Sequence, residues 1–348
     1  MTFQLPPTMR AWQYSSTTGG LEKNLQLNSV APIPKPGPNQ HLVQVIATAL
    51  NPVDYKPTEA PLVGLLLVRK PATPGIDFAG RVVIPADGSP FKPGQLVCGA
   101  AGKSPLAGGA LAEFALCEKS HVIALPDGVD PVAAATLTVA GLTAYQSIVP
   151  NVKEGDHIFI NGGSGGTGIF GIQFAKAVGC HVTTSCSTTN VELCKSLGAD
   201  EVIDYTKGTL LEALKSSSHK FDHAVDNVGV DRELYWQCHE YLQPAATYVL
   251  ISRELALASL VDIVSLKVIP SFLGGIKRRL TGFFPDPKPA DLESIVQLIK
   301  EGKVKPVIDQ KFSFEQAVQA FEKLKTKRAK GKIVIDVASE THTQMWTE

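Results

Sequence analysis

From residue 156 onward, short apolar runs alternate with longer stretches in which apolar positions recur every three or four residues. The runs at 157–161, 181–186, 201–205, 221–226 and 246–252 predict strands. The stretches at 167–178, 190–197, 208–216 and 232–241 predict helices. A strand that reads as one apolar run is buried on both faces, and an alternating order achieves this by laying helices over both sides of a parallel sheet. The pattern predicts an α/β fold with a doubly wound parallel sheet.

Residues 1–150 follow a faster rhythm. The run 41–49 puts Val43, Val45 and Ala47 on one face of a strand. Turn signals recur at Pro36-Gly37-Pro38, Pro74-Gly75, Asp87-Gly88, Pro93-Gly94 and Asp127-Gly128. Short strands so punctuated predict a compact β-barrel-like domain. One helix is predicted from Pro131 to about Ser147, because proline suits the first helical turn. After the proline-rich junction at 285–289, Asp291 is placed to cap a helix over 292–301 closed by Gly302. A second helix is predicted over 314–325. A last strand is predicted over 332–337, a candidate to rejoin the first domain.

Between the first strand and first helix of the alternating region lies Gly163-Ser164-Gly165-Gly166-Thr167-Gly168. The spacing Gly-x-Gly-x-x-Gly in a strand–turn–helix context is that of a dinucleotide site. Gly163 is read as the tight turn, Gly165 as bare backbone beside a pyrophosphate, and Gly168 as the close helix–strand contact. Free N–H groups and the helix dipole favour the anion there. A sheet that binds NAD carries an acid about 20 residues further on. The equivalent stretch, 183–190, has none, and its Ser185, Ser187 and Thr188 are candidate donors to a 2′-phosphate. The expected cofactor is therefore NADPH. Ligands sit outside the carboxyl ends of parallel strands, which adds Tyr205, Asn227, Val228, Ile251 and Ser252 to the candidate cofactor residues.

Composition narrows the alternatives. The chain has 348 residues, enough for two domains, with 44% hydrophobic and 19% charged residues. Basic and acidic residues balance at 33 each, so no basic field invites nucleic acid. The stretch 255–276 is apolar but carries Asp262, Lys267 and Pro270, and no membrane span is expected. The first residues lack a charged, then apolar, leader, and the six cysteines include no Cys-x-x-Cys pair. A cytoplasmic protein with free thiols is expected. His219 and His223 lie in a polar run and are read as surface residues rather than a metal site.

Several further motifs stand in order: Asn51-Pro-Val-Asp54, Pro74-Gly-Ile-Asp-Phe-Ala-Gly80, Gly109-Ala-Leu-Ala-Glu-Phe114, Val139-Ala-Gly-Leu-Thr-Ala-Tyr145, Leu197-Gly-Ala-Asp200, Asp226-Asn-Val-Gly229 and Gly331-Lys-Ile-Val-Ile335. With the glycine loop, they make the chain resemble the medium-chain dehydrogenase/reductases over nearly its whole length. Within that family it resembles the zinc-independent quinone oxidoreductase and enoyl reductase branch. The resemblance implies a GroES-like β-barrel catalytic domain, 1–148 completed by 286–348, and a Rossmann NADP-binding domain, 149–285. It places the site in the cleft. The positions that hold Cys, His and Cys in zinc alcohol dehydrogenases fall on Asn51, Ile76 and Val139, a set unsuited to zinc. It also implies that Thr143 packs behind the nicotinamide.

The chemistry so implied is hydride transfer to the β-carbon of an α,β-unsaturated carbonyl, quinone or enoyl thioester, without metal. Donors to the developing enolate oxygen should come from the segment replacing the zinc ligands: Lys56 first, then Tyr55, then Asn51. Asp54 is read as holding its own loop by side-chain-to-backbone bonds. Phe272, Leu273, Phe283 and Phe284 are candidates to shape an apolar pocket. The expected partner is a small apolar unsaturated carbonyl. A carrier-protein-bound form is a lesser reading, in which 277–279 meets the carrier; solvated surface is the plainer account of that charge run. The expected state is a monomer or homodimer. Two alternatives stay open: oxidation or isomerisation in specialised metabolism, and a non-catalytic nucleotide-binding protein.

Overall fold

The computed structural model describes residues 5–60, 64, 66, 68–102, 108–251 and 277–338. Its chain forms two units: Met1–Leu142 with Asp286–Gly302 and Pro306–Glu348, and Thr143–Pro285 with Lys303–Lys305. The division falls inside a helical region, ahead of the 148/149 boundary that the family resemblance implies.

In the second unit six strands form one parallel sheet. Their order across it is Glu201–Asp204, His181–Cys186, His157–Asn161, Phe221–Asp226, Leu242–Leu250 and Arg279–Gly282. The strand order reverses at His157–Asn161, which opens a crevice at the carboxyl ends of the strands on either side. Both faces of that strand are covered. Ile158 and Ile160 pack with Ile172, Val182 and Val225, while Phe159 packs with Phe221, Tyr241 and Leu242. This two-sided burial is why the strands read as unbroken apolar runs. The predicted helix 232–241 stops at Trp236 and continues as a short 3-10 turn, Cys238–Glu240. The sixth strand was not predicted.

The first unit holds a seven-stranded sheet. Its central strand, Gln40–Leu50, pairs antiparallel with Asp77–Ile84, with Phe114–Glu118 and with the last strand, Lys332–Asp336. The C-terminal strand therefore completes the sheet of the N-terminal unit, Ile333 lying opposite Leu50. The helix expected over 131–147 is broken into three. Asp130 caps Pro131–Ala134, a π-helical turn spans Leu137–Gly141, and an α-helix resumes at Leu142–Ile148. Further on, the helix begins at Pro289 with Lys288 as its cap, so Asp291 sits in the first turn rather than capping it.

All six cysteines are free and buried. Among the described residues no helix is long and apolar enough to cross a membrane. The stretch 255–276, with Phe272 and Leu273, lies outside the described residues, as does Ser252.

Candidate cofactor and catalytic sites

The glycine loop of the second unit is held from below by the ends of three strands. Ser185 Oγ donates to Asn161 Oδ1 at 2.5 Å and accepts from the Gly162 N–H at 3.0 Å. Asn161 Nδ2 donates to Asp226 Oδ1 at 2.7 Å. Asp226 also accepts from the N–H groups of Val228 and Gly229, each at 2.9 Å, and from the Tyr248 hydroxyl at 2.7 Å. Burial and the Asp226 carboxylate hold the Tyr248 phenol well above its ordinary value, so it remains a donor. The side-chain links Ser185–Asn161, Asn161–Asp226 and Tyr248–Asp226 are buried, which fixes the carboxyl ends of the strands relative to one another.

The glycines have separate duties. The positive φ falls on Gly162, at 78°, so the tight turn belongs there and not to Gly163. A Cβ on Gly163 would stand 2.1 Å from Thr184 Oγ1, and one on Gly168 would stand 2.2 Å from the Gly162 carbonyl oxygen. Both glycines are demanded by the protein's own packing. At Gly165 the nearest heavy atom to a Cβ would be the Gly162 oxygen at 3.5 Å. That glycine answers to no neighbour in the chain, which suits a position kept bare for a ligand. Gly166 and Thr167 lead into the helix Gly168–Val178, whose cap residue Thr167 makes no side-chain capping bond. The residues present thus fit a pyrophosphate at this helix start.

The candidate 2′-phosphate residues separate on inspection. Ser185 is fully buried under the glycine turn and its hydroxyl is committed there, so it is not available to a phosphate. Ser187 and Thr188 follow the strand end, Thr188 exposed. The Thr188 hydroxyl donates to Asp204 Oδ2 at 2.6 Å, and Thr206 Oγ1 lies 2.8 Å from it. The sequence reading missed Asp204, whose value the Thr188 and Thr206 bonds hold down to about 2. Lys207 Nζ lies 3.6 Å from the same carboxylate and supplies a cation that the 183–190 stretch lacks. Tyr205 is 52% exposed beside them. Ser164 accepts from Asn190 Nδ2 at 3.0 Å, linking this loop to the glycine loop.

At the other strand ends, Asn227 Nδ2 donates to the Asn161 carbonyl at 3.0 Å and Val228 is 40% exposed. Ile251 donates its N–H to the Asp226 carbonyl and packs on the core. Thr143 is buried in its helix. Phe283 packs on the same core as Ile251, whereas Phe284 is exposed. Arg278 is tied to the carbonyls of His239 and Leu242. His223 is not a surface residue: it is buried, its Nε2 2.8 Å from the Ser147 carbonyl.

In the first unit the Asn51–Lys56 segment follows the central strand. Asp54 Oδ2 accepts from the Asn51 N–H at 2.6 Å, as its position predicted. Burial, with a smaller push from the Asp77 charge, raises the Asp54 carboxyl to about 7. Asn51 is buried and committed on both sides of its amide. Nδ2 donates to the Ala49 carbonyl and to Asp77 Oδ2 at 2.8 Å, and Oδ1 accepts from Lys332 Nζ at 2.5 Å. The expected role of Asn51 as a donor to substrate does not match this arrangement. Lys332 also reaches the Leu50 carbonyl at 3.2 Å and Asp77 Oδ2 at 3.4 Å. Asp77 Oδ1 accepts from the Val139 N–H at 2.8 Å, within the π-helical turn. Burial pushes both Asp77 and Lys332 toward their neutral forms, and their mutual attraction opposes it. Tyr55 is buried in the barrel core, with Lys325 Nζ 5.1 Å from its ring centre. Lys325 is in turn paired with Glu22 and Glu59. Lys56 is half-buried at the start of the short helix Lys56–Glu59.

Asp77 and Lys332 carried no chemical role in the sequence reading. The available signal was a lysine at the head of the apolar run 333–335, where a charge that becomes buried demands a partner.

A GroES-like sheet in one unit and a Rossmann sheet with a glycine loop in the other define a class of oxidoreductase, and the comparisons agree. The alcohol dehydrogenase GroES-like domain matches residues 37–127, and the zinc-binding dehydrogenase domain matches 197–335. The trans-enoyl reductase pgmF of Aspergillus terreus is 45% identical over 352 residues, covering 97% of this chain and 98% of that protein. Quinone-oxidoreductase QR1, chloroplastic, of Triphysaria versicolor is 36% identical over 344 residues, covering 94% and 98%. The structure of the quinone oxidoreductase from Coxiella burnetii aligns with a TM-score of 0.83 at 30% identity, over 95% of this chain and 99% of that one. The chain belongs to the medium-chain dehydrogenase/reductase family and is an oxidoreductase of its quinone oxidoreductase-like and enoyl reductase-like kind.

Proposed function

We propose that this protein is an NADPH-dependent, metal-independent reductase of carbon–carbon double bonds conjugated to a carbonyl, with quinones and enoyl thioesters in the same class of acceptor. The observation that carries the reading is the Lys332 ammonium, 2.5 Å from Asn51 Oδ1 and 3.4 Å from Asp77 Oδ2. The family resemblance puts Asn51, Ile76 and Val139 at the positions that hold zinc ligands in its alcohol dehydrogenases. A resident cation there, with an amide, an isoleucine and a valine as the donor set, does not fit a zinc ion. An alcohol oxidation that needs a Lewis acid is therefore disfavoured, and an acceptor already activated by conjugation is favoured.

The glycine loop, with Gly165 bare, would hold the pyrophosphate. Ser187, Thr188, Tyr205 and Lys207 would meet the adenosine phosphate, and Thr143, Asn227, Val228 and Ile251 the nicotinamide half. When bound, the nicotinamide supplies hydride to the β-carbon. Charge then gathers on the substrate's carbonyl oxygen, where Lys56 donates a hydrogen bond and Tyr55 serves as second donor or as proton source for the α-carbon. Asn51 acts on the segment and not on the substrate. The relatives named for enoyl and quinone reduction support this assignment.

The test is loss of NADPH absorbance on mixing with a panel of small enones, quinones and enoyl thioesters. Turnover that follows the enone and persists after exhaustive chelation supports the reading. Nucleotide binding without turnover of any acceptor, or activity that returns only with added zinc, removes it.

A further inference from the structure

Burying an ammonium and two carboxylates is costly, and apolar residues of similar volume often serve a core as well or better. The contacts of Lys332 have a direction that a stability role does not require. Nζ reaches the Leu50 carbonyl, Asn51 Oδ1 and Asp77 Oδ2. Asp77 in turn takes Asn51 Nδ2 and the Val139 N–H. Asp54 closes the group by holding the Asn51 N–H. These bonds converge on the end of the central strand and on the π-helical turn, and Lys332 comes from the far end of the chain. The segment they hold, Asn51–Lys56, carries both Tyr55 and Lys56.

We propose that Lys332 and Asp77 are positioning residues for the reaction: with Asn51 as the link, they lock the Asn51–Lys56 segment so that its donors keep one geometry toward the substrate carbonyl. The proposal rests on the reductase reading for the role of those donors. A misplacement of about 1 Å in such a group can cost roughly 100-fold in rate.

The test uses two variants of the full-length protein. Lys332→Met combined with Asp77→Asn removes both charges, so neither partner is left buried and unpaired. Asn51→Ser keeps the ion pair and cuts its link to the segment. Each is assayed for melting temperature, for kcat and KM with an enone, and for NADPH affinity. Hydrogen exchange is followed at the amides of Asp54 and Tyr55, which donate to the carbonyls of Asn51 and Pro52. The expected result for both is kcat lowered roughly 10- to 100-fold, NADPH affinity within about twofold of wild type, and faster exchange at those two amides. The double variant should melt near wild type. If it recovers stability and full kcat together, the pair is structural only and the proposal falls. If the wild-type protein reduces no acceptor, the reductase reading falls by itself, and exchange still decides the network: unchanged protection at Asp54 and Tyr55 in both variants overturns it. Should the double variant not fold, Asn51→Ser decides the matter with the same readouts, and wild-type kcat and protection in it overturn the proposal.

Discussion

Alanine substitution at two glycines of the same loop should have opposite consequences. At Gly168 the added Cβ would lie 2.2 Å from the Gly162 oxygen and 2.7 Å from Gly163 Cα, and both are backbone atoms in a turn tied to three strands. Nothing there can yield cheaply, so Gly168→Ala should cost about 3 kcal/mol, the upper part of the range for overpacking. At Gly165 the nearest atom is 3.5 Å away and φ is not in the left-handed region. Gly165→Ala should therefore leave the free protein unchanged or stabilise it by about 0.4–1 kcal/mol through the unfolded chain. The same methyl group would stand where a pyrophosphate approaches the backbone. Losing one charge-assisted bond of about 1.5–3 kcal/mol predicts roughly 10- to 100-fold weaker NADPH binding. Melting curves without nucleotide and fluorescence titration with NADPH measure the two effects separately. Wild-type affinity in Gly165→Ala, or a drop in melting temperature matching that of Gly168→Ala, would refute the division of labour and with it the placement of the pyrophosphate.

Four other outcomes follow from the site. Lys56→Met should lower kcat roughly 100-fold with NADPH affinity nearly unchanged; equal turnover would remove Lys56 from the chemistry. Ser185→Asp should destabilise the second unit by about 3–5 kcal/mol, because it buries a charge under the glycine turn. Lys207→Ala should weaken NADPH relative to NADH by about two- to fivefold at low salt, and an unchanged ratio would move the 2′-phosphate elsewhere. The Asp54 carboxyl stands at about 7 against an ordinary 3.8, so between those values the folded chain holds a proton that the unfolded chain has lost. That contribution to stability is complete below about 4 and disappears as pH rises through 7. Wild-type melting temperature should fall from pH 5 to pH 8 more steeply than that of Asp54→Asn, and parallel profiles would contradict the assignment.

What could be read from the chain beforehand follows the range of the interactions involved. The parallel sheet was legible because burial on both faces forces local apolar runs, and each run needs only its own five or six residues to declare itself. The glycine loop was legible for the same reason. Ser185 was misjudged by the alternation of a strand. It lies inside His181–Cys186 and turns under the loop, while Ser187, two residues on and past the strand end, does not; residue type alone does not distinguish them. The helix expected over 131–147 has helical composition throughout, and its π-helical turn brings the Val139 N–H to a carboxylate 62 positions earlier. Lys332 and Asp77 are 255 positions apart, and no periodicity reports such a pair. On the proposed reading this pair matters to the chemistry, because a barrel centre held by Lys332 and Asp77 would offer a fixed loop of donors in place of a Lewis acid. A charged residue at the head of an apolar strand run is thus a local mark of a long-range commitment. In this chain Lys332 carries that mark, on the C-terminal strand that pairs with the central strand of the first unit.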